Sequence, residues 1–305
     1  MVRIALYYIL KIISKIFCLL PEKISYAIGD AIGAITWYLV PAKRKKMAVN
    51  NVILSLNIDK PSAVRIAKKS WTKFGPMIVE VLRFPIMRYN MNKYVTLIGA
   101  ENLDEALKLG RGGIIAAAHS DNWELLGGAL AQNGYKLVGV AQEQSNHGAD
   151  RFMNEYRALI GMYVMYKYDV RNMFKMIAKG WLIGLIMDQD AAEDGIVMPF
   201  LGRDASCAHG AATIARHNNA PIIPIFIVKG PKRTHKVIIH KPIFVEKTAN
   251  KHADIRKTTM IITKQIEDHI REYPEEWFWL HDRWKSVEHH QAIKSYTEGD
   301  KQNAK

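Results

Sequence analysis

A chain of 305 residues that is 49% hydrophobic and 24% charged, with 20 Gly and 11 Pro, excludes collagen-like, low-complexity and wholly disordered classes. No uninterrupted apolar run of about 18 residues marks a polytopic membrane protein, and the length suits one large domain or two. Lys and Arg outnumber Asp and Glu by 43 to 29, a formal charge of +14 that attracts anionic lipid headgroups, an acidic carrier protein or nucleic acid. The two cysteines, Cys18 and Cys207, are too few for a disulfide framework or a CxxC zinc site and fit a reducing compartment.

Residues 4–20 are apolar except for Lys11, Ser14 and Lys15, which helical spacing places on one side. Such a helix suits the headgroup plane, because a lone spanning helix would have to bury two lysines near its middle. No small-residue cleavage site follows, so a removed signal peptide is not expected. Residues 24–40 carry Gly29, Gly33 and Ala34 and pack either on the first helix as a hairpin or within the core. Pro41 ends this stretch and Lys43-Arg44-Lys45-Lys46 follows, a cluster that gains from anionic lipid. Residues 1–46 are therefore read as a membrane-associating helical segment, the alternative being two buried helices that open a soluble domain.

Apolar residues recur at three- and four-residue steps over 62–84, giving helix with a possible break at Gly75-Pro76. Strands are then expected at 95–98, 113–118, 137–141, 163–166, 181–187, 222–228 and 236–240. Helices are expected at 102–109, up to 132, 150–160, 170–179, 210–218 and 254–271. This alternation implies an α/β fold, a mixed central sheet flanked by helices, for a catalytic domain over 47–285. Residues 286–305 read as a polar, frayed tail.

The informative stretch runs from Gly112 through Ala118-His119-Ser120-Asp121-Asn122-Trp123-Glu124. In open α/β sheets functional groups gather beyond the carboxyl ends of strands, where His119 falls. On one helix a five-residue step turns two side chains about 140° apart, so a strand-turn-helix is needed to bring His119 and Glu124 together. A histidine so placed can take a proton from a hydroxyl, with the carboxylate fixing its tautomer, and no protein nucleophile is required. The competing reading is structural: Asp121 and Glu124 form an acidic version of a capping box, and a lone turn histidine is often mere surface.

The stretch from Ala118-His119 to Asn122-Trp123-Glu124-Leu125 resembles the HxxxxE signature of the lipid A biosynthesis lauroyl/myristoyl acyltransferases, a family within the wider lysophospholipid acyltransferase group. Four further blocks are similar to that family in the same order: Asp188-Gln189-Asp190, Pro199-Phe200-Leu201-Gly202-Arg203, the run from Ala220 to Phe226, and the aromatic block from Tyr273 to Lys285. The resemblance implies acyl transfer from acyl carrier protein, or from acyl-coenzyme A, to a hydroxyl of a lipid A precursor. It implies no cofactor, and a place on the cytoplasmic face of the inner membrane. It carries over His119 as general base and Glu124 as its partner, with Asn122, Trp123, Arg157, Asp188, Asp190, Gly202 and Arg203 toward substrate. His209-Gly210 stands where the family often has Thr-Gly, and Ser120-Asp121 replaces small or aromatic residues; both changes are expected at pocket walls.

Independently of any family, the guanidinium of Arg203 after Gly202 suits a phosphate, and Asp188 with Asp190 at a strand end suits sugar hydroxyls or a cation. Metal is the lesser reading, as no HExxH, EF-hand or Cys/His cluster accompanies them. Oxyanion donors are sought at a helix N-terminus or a nearby arginine, and the histidines other than His119 are expected at the surface. Rival readings are acylation of a lysophospholipid or other glycolipid, and a non-catalytic protein that binds anionic lipid. Nucleic acid is disfavoured for want of any zinc-finger, RRM or basic-region pattern.

Overall fold

The computed structural model describes residues 2–288, so the tail expected beyond 286 lies almost wholly outside the described residues. Its centre is a seven-stranded sheet of β1 (Val95–Ile98), β2 (Gly113–Ala117), β3 (Leu137–Ala141), β4 (Tyr163–Tyr166), β5 (Leu182–Ile186), β8 (Ile222–Lys229) and β9 (His235–Ile239). The order is β1-β9-β8-β2-β5-β3-β4, and every pair is parallel except β8 with β9. The mixed sheet read from the alternating pattern is thus present. Strand β2 alternates as a doubly covered strand should: Ile114 and Ala116 enter one apolar layer, Ile115 and Ala117 the other.

Helices α7 (Ala100–Leu107), α8 (Trp123–Gln132) and α9 (His147–Leu159) cover one face, while α10 (Val170–Ala178), α11 (Gly210–Asn218) and α12 (Lys251–Glu272) cover the other. The helix at Ala42–Leu56 escaped the sequence reading, as did a hairpin of β6 (Ile196–Phe200) and β7 (Arg203–Cys207), outside the main sheet. Its turn needs two left-handed residues, Leu201 and Gly202.

The first helices are α1 (Val2–Leu19), α2 (Glu22–Leu39), α3 (Ala42–Leu56), α4 (Lys60–Thr72), α5 (Phe74–Leu82) and α6 (Phe84–Met87). The break expected at Gly75-Pro76 falls at Lys73, because Pro76 is tolerated in the first turn of a new helix. Helix α2 does not fold back on α1; it lies on α5 and α4, while α1 lies on α9 and α5. The small residues set that crossing: a Cβ on Gly33 would run into the Thr72 carbonyl, and one on Gly75 into that of Gly29.

The polar stripe of α1 faces inward rather than toward solvent. Ser14 is buried, donating to the Leu82 carbonyl at 2.6 Å and accepting from the Tyr156 hydroxyl; Lys11 pairs with Glu155 at 2.6 Å. Lys15 alone of the three stays exposed. A buried hydroxyl is tolerable only when paired, and the loop after α5 also supplies Arg83, which donates to the Leu20 carbonyl and the Ser25 hydroxyl at 3.0 and 2.9 Å. Beside the exposed Lys15, Lys23 and Asp30, α1 and α2 show apolar side chains to solvent: Ile9, Ile12, Ile16 and Leu19, then Ile28, Ile32, Ile35, Tyr38 and Leu39, the last 75% exposed. Among the described residues no helix is long and apolar enough to cross a membrane.

Candidate active site

Sheet register builds the site. In the parallel pair β2 and β5, Ala117 lies beside Ile186, so the residues two beyond each, His119 and Asp188, leave the sheet side by side. The His119 Nδ1 lies 2.8 Å from one Asp188 oxygen, and its backbone N–H donates to the other at 3.0 Å. Trp277 donates its indole N–H to that second oxygen at 2.6 Å. Burial alone would raise the Asp188 carboxyl, but the His119 ring, the indole and the backbone N–H together lower it to about 2. An ionised Asp188 fixes Nδ1 as the protonated nitrogen and leaves Nε2 as acceptor. The His119 side chain keeps 20% of its surface open, and its ring meets Trp123 edge-to-face at 4.9 Å.

Glu124 is not the partner of this ring. Its carboxylate is buried and receives both Nε and Nη2 of Arg157, at 2.8 and 2.6 Å. The helix α8 carries Glu124 away from the sheet and toward α9, while the end of β5 delivers a nearer carboxylate. Arg157 is therefore committed to Glu124 and is no free oxyanion donor. The capping box expected from Asp121 is also absent. Asn122 caps α8 instead, its side-chain oxygen accepting from the N–H groups of Glu124 and Leu125, both at 3.2 Å.

The three residues between His119 and Trp123 are anchored from below. Ser120 donates to the Ile227 carbonyl at 3.0 Å and meets His269 Nε2 at 2.8 Å; burial lowers His269 to about 3, leaving it neutral. Asp121 takes a left-handed backbone, which aspartate tolerates, and its carboxylate binds His235 Nδ1. The other ring nitrogen of His235 reaches Glu80 at 3.1 Å. Glu80, buried on α5, also accepts from Asn122 at 2.6 Å and Tyr26 at 3.2 Å. Burial would lower His235, but Asp121 and Glu80 raise it to about 10, an imidazolium. Lys73, lowered to about 8 by burial, donates to the Glu276 carbonyl. His235 and His269 are thus interior groups, not the surface residues expected, and Ser120-Asp121 belongs to the core instead of a pocket wall. Sequence reasoning missed His235 and Glu80 because their meeting depends on β9 and α5 packing under one turn.

The remaining expected site residues divide. Asp188 has both carboxylate oxygens taken up by His119 and Trp277. Asp190 accepts from the Ser286 hydroxyl and N–H at 2.6 and 3.2 Å, and its own N–H faces His281 Nε2 at 3.4 Å. Arg203 stacks on Trp284, 3.5 Å from the ring centroid, and donates to Asn51 and Glu288 at 3.1 and 3.3 Å. It locks the β6–β7 hairpin, whose turn holds Gly202, so neither residue is placed as a phosphate ligand. His209 bonds Thr213 at 2.9 Å at the start of α11. Among the described residues no group of three or more His, Cys, Asp and Glu is placed to hold a metal ion.

A buried carboxylate, an imidazole with one free nitrogen and an open edge suit proton abstraction from a hydroxyl. The family model of bacterial lipid A biosynthesis acyltransferases matches residues 1–286. The chain belongs to that family. This lipid A biosynthesis family member is accordingly an acyltransferase, a transferase enzyme. It is similar to a phosphatidylinositol mannoside acyltransferase of Mycolicibacterium smegmatis, 24% identical over 212 residues, 67% of each chain. A phosphatidylinositol mannoside acyltransferase of Mycobacterium tuberculosis is 24% identical over 163 residues, 51% of this chain and 52% of the relative. Among solved structures, the 1-acyl-sn-glycerophosphate acyltransferase PlsC of Thermotoga maritima aligns with a TM-score of 0.37 at 13% identity, covering 72% of this family member and 97% of that chain.

Proposed function

We propose that the protein transfers a fatty acyl group from an acyl thioester, with acyl carrier protein as the preferred donor, to a hydroxyl of a lipid A precursor at the cytoplasmic face of the inner membrane. The observation that carries the reading is the His119–Asp188 pair: Nδ1–H is held by a buried anion, so Nε2 keeps the lone pair, on a side chain that is 20% open. The acceptor hydroxyl gives its proton to Nε2 as its oxygen attacks the thioester carbonyl. The tetrahedral intermediate then expels the thiolate, which leaves with the proton from the imidazolium. Asp188 stabilises the imidazolium and prevents the ring from turning. The apolar outer face of α1 and α2 supports attachment to a lipid surface, and the charge of +14 supports an acidic donor.

A second acceptor class is favoured by a specific observation: the relatives are named for phosphatidylinositol mannoside, also a phosphate-bearing glycolipid. The test is purified protein offered carrier-protein and coenzyme A thioesters of the same chain against both acceptors, with mass spectrometry of the product lipid. It is joined to lipid extracts of cells with and without the protein. A His119-dependent mass increase of one acyl chain on the lipid A precursor supports the first reading. Transfer only to the inositol mannoside replaces it with the second, and no transfer to either removes both.

A further inference from the structure

Two clefts meet beside the His281 end of the aromatic block. The first, of about 620 Å³, is lined by Lys43, Arg44, Lys285, Asp190, His281 and Asp282 among others. The second, of about 600 Å³, is apolar, with Leu39, Val40, Trp71, Phe278 and Leu280 in its walls. Pro41, Arg44 and His281 belong to both, so Arg44 stands at the elbow of one bent trough with a charged limb and a greasy limb.

Three features say what fits there. The apolar limb begins at Leu39, the end of the exposed apolar face of α2, so a lipid embedded beside that face reaches the trough without leaving apolar surroundings. It also leads inward: Phe278 packs on Phe74 at 4.9 Å, Phe74 on Trp123 at 5.9 Å, and Trp123 on His119 at 4.9 Å. The charged limb offers Lys43, Arg44 and Lys285 against Asp190 and Asp282, and Asp190 already has Ser286 on both carboxylate oxygens. Among the described residues the Arg44 guanidinium makes a single long 3.4 Å contact, to the Leu280 carbonyl, leaving most of its planar fork of donors for a ligand. Nor do Lys43 and Arg44 serve their own helix, since α3 has no acidic residue in its first turn and the positive end of a helix disfavours Lys and Arg.

We propose that this trough is the acceptor subsite, and that Arg44, flanked by Lys43 and Lys285, takes the phosphate of an anionic lipid acceptor whose chains lie along the apolar limb and α2. The assignment rests on the acyltransferase reading above and names the chemistry its acceptor must carry. A phosphate accepts two parallel N–H bonds from a guanidinium, a geometry lysine cannot supply.

The test compares dihexanoyl phosphatidylinositol, a monomeric phosphodiester lipid, with a dihexanoyl glucosylglycerol that lacks phosphate, by titration calorimetry on the full chain. Wild type is expected to bind the phosphate lipid about tenfold more tightly, the worth of a charge-assisted pair. In Arg44→Gln that preference falls to about twofold or less, Arg44→Lys lies between, and exposed Lys257→Gln on α12 keeps it. A second arm measures turnover with palmitoyl 4′-phosphopantetheine and palmitoyl pantetheine. Loss in Arg44→Gln of a preference for the phosphorylated donor, with acceptor binding unmoved, assigns the phosphate to the donor and overturns the proposal. Equal wild-type affinity for the two lipids overturns it as well. Because the calorimetry needs no turnover, a preserved Arg44-dependent preference in a protein that acylates nothing would sink the catalytic reading and leave the phosphate site standing.

Discussion

The outer face of α1 and α2 and the interior beneath the His119 turn depart from the usual distribution of side chains in opposite senses. Outside, Ile9, Ile12, Ile16, Ile32, Ile35 and Leu39 stand exposed, although contiguous apolar surface is uncommon on a soluble monomer. Inside, Glu80, Asp121, Asp188, His235 and Lys73 are buried, although charges rarely leave water unpaired. The interior departure is compensated locally: every interior charge has a partner of opposite sign or a set of N–H and O–H donors. The exposed face has no such partner among the described residues. The contrast separates two roles, a surface proposed above to meet lipid and a scaffold that fixes one turn.

The largest effect expected on the inner side is catalytic. His119→Ala removes the acceptor nitrogen and should lower kcat/KM per folded molecule by about 10²–10⁴. Asp188→Asn should cost about as much by freeing the wrong tautomer, whereas Glu124→Gln, which touches Arg157 and not the ring, should cost far less turnover per folded molecule. If the Gln variant loses as much turnover as Asp188→Asn while melting like wild type, Glu124 and not Asp188 orients the base.

Glu124 should reveal itself in stability instead. Glu124→Ala strands a largely buried guanidinium, and breaking such a pair costs about 3–5 kcal/mol. Denaturant unfolding of the Ala variant is the measurement, and a loss below about 1 kcal/mol would mean that Arg157 finds water or another acceptor.

These two carboxylates show what the sequence made legible. The strand ending before His119, the helix opening at Trp123 and the strand ending before Asp188 all follow from periodicity, and the family blocks drew attention to both acids. Which acid meets the ring did not follow, because it depends on β2 and β5 being neighbours in the sheet though 65 or more residues apart in the chain. The same limit hid His235 and Glu80, joined across 155 positions. It also turned α1 around: Ser14 and Lys11 look like a solvent stripe until Leu82, Tyr156 and Glu155 are brought against them.

The outer side is tested by charge. Ile12→Glu with Ile16→Glu and Ile35→Glu places three carboxylates on the exposed face, where none of the replaced side chains is buried. Losing the lipid contact of each should weaken binding to phosphatidylglycerol vesicles at least about tenfold in flotation assays, with the circular dichroism melt unchanged. Deleting residues 1–46 is a poorer test, since it also uncovers α5 and leaves Arg83 without the Ser25 and Leu20 acceptors. Undiminished flotation of the triple variant would move the attachment surface elsewhere, toward the Lys43–Lys46 cluster.

The smallest effect expected is a pH dependence that isolates His235. Its folded value of about 10 lies above the ordinary 6.5, so the stability it contributes is fully present below about pH 6.5 and disappears as pH rises through 10. Asp188 works in the other direction: lowered to about 2 from 3.8, it contributes above pH 4 and loses that contribution as pH falls through 2. Between pH 7 and 10 the Asp188 contribution is therefore constant. Lys73, lowered to about 8 from 10.5, opposes His235 there, since its buried charge is relieved as it deprotonates. Glu80, Asp121, Glu276 and Lys229 complete the charges around this ring. A wild-type profile thus mixes these contributions, and the difference between wild type and His235→Gln at each pH is the cleaner quantity. That difference in unfolding free energy should be greatest near pH 6.5 and shrink steadily toward pH 10. A difference that stays level across the range would show that Asp121 and Glu80 hold a neutral ring, and that the turn under His119 is kept in place by packing without a buried cation.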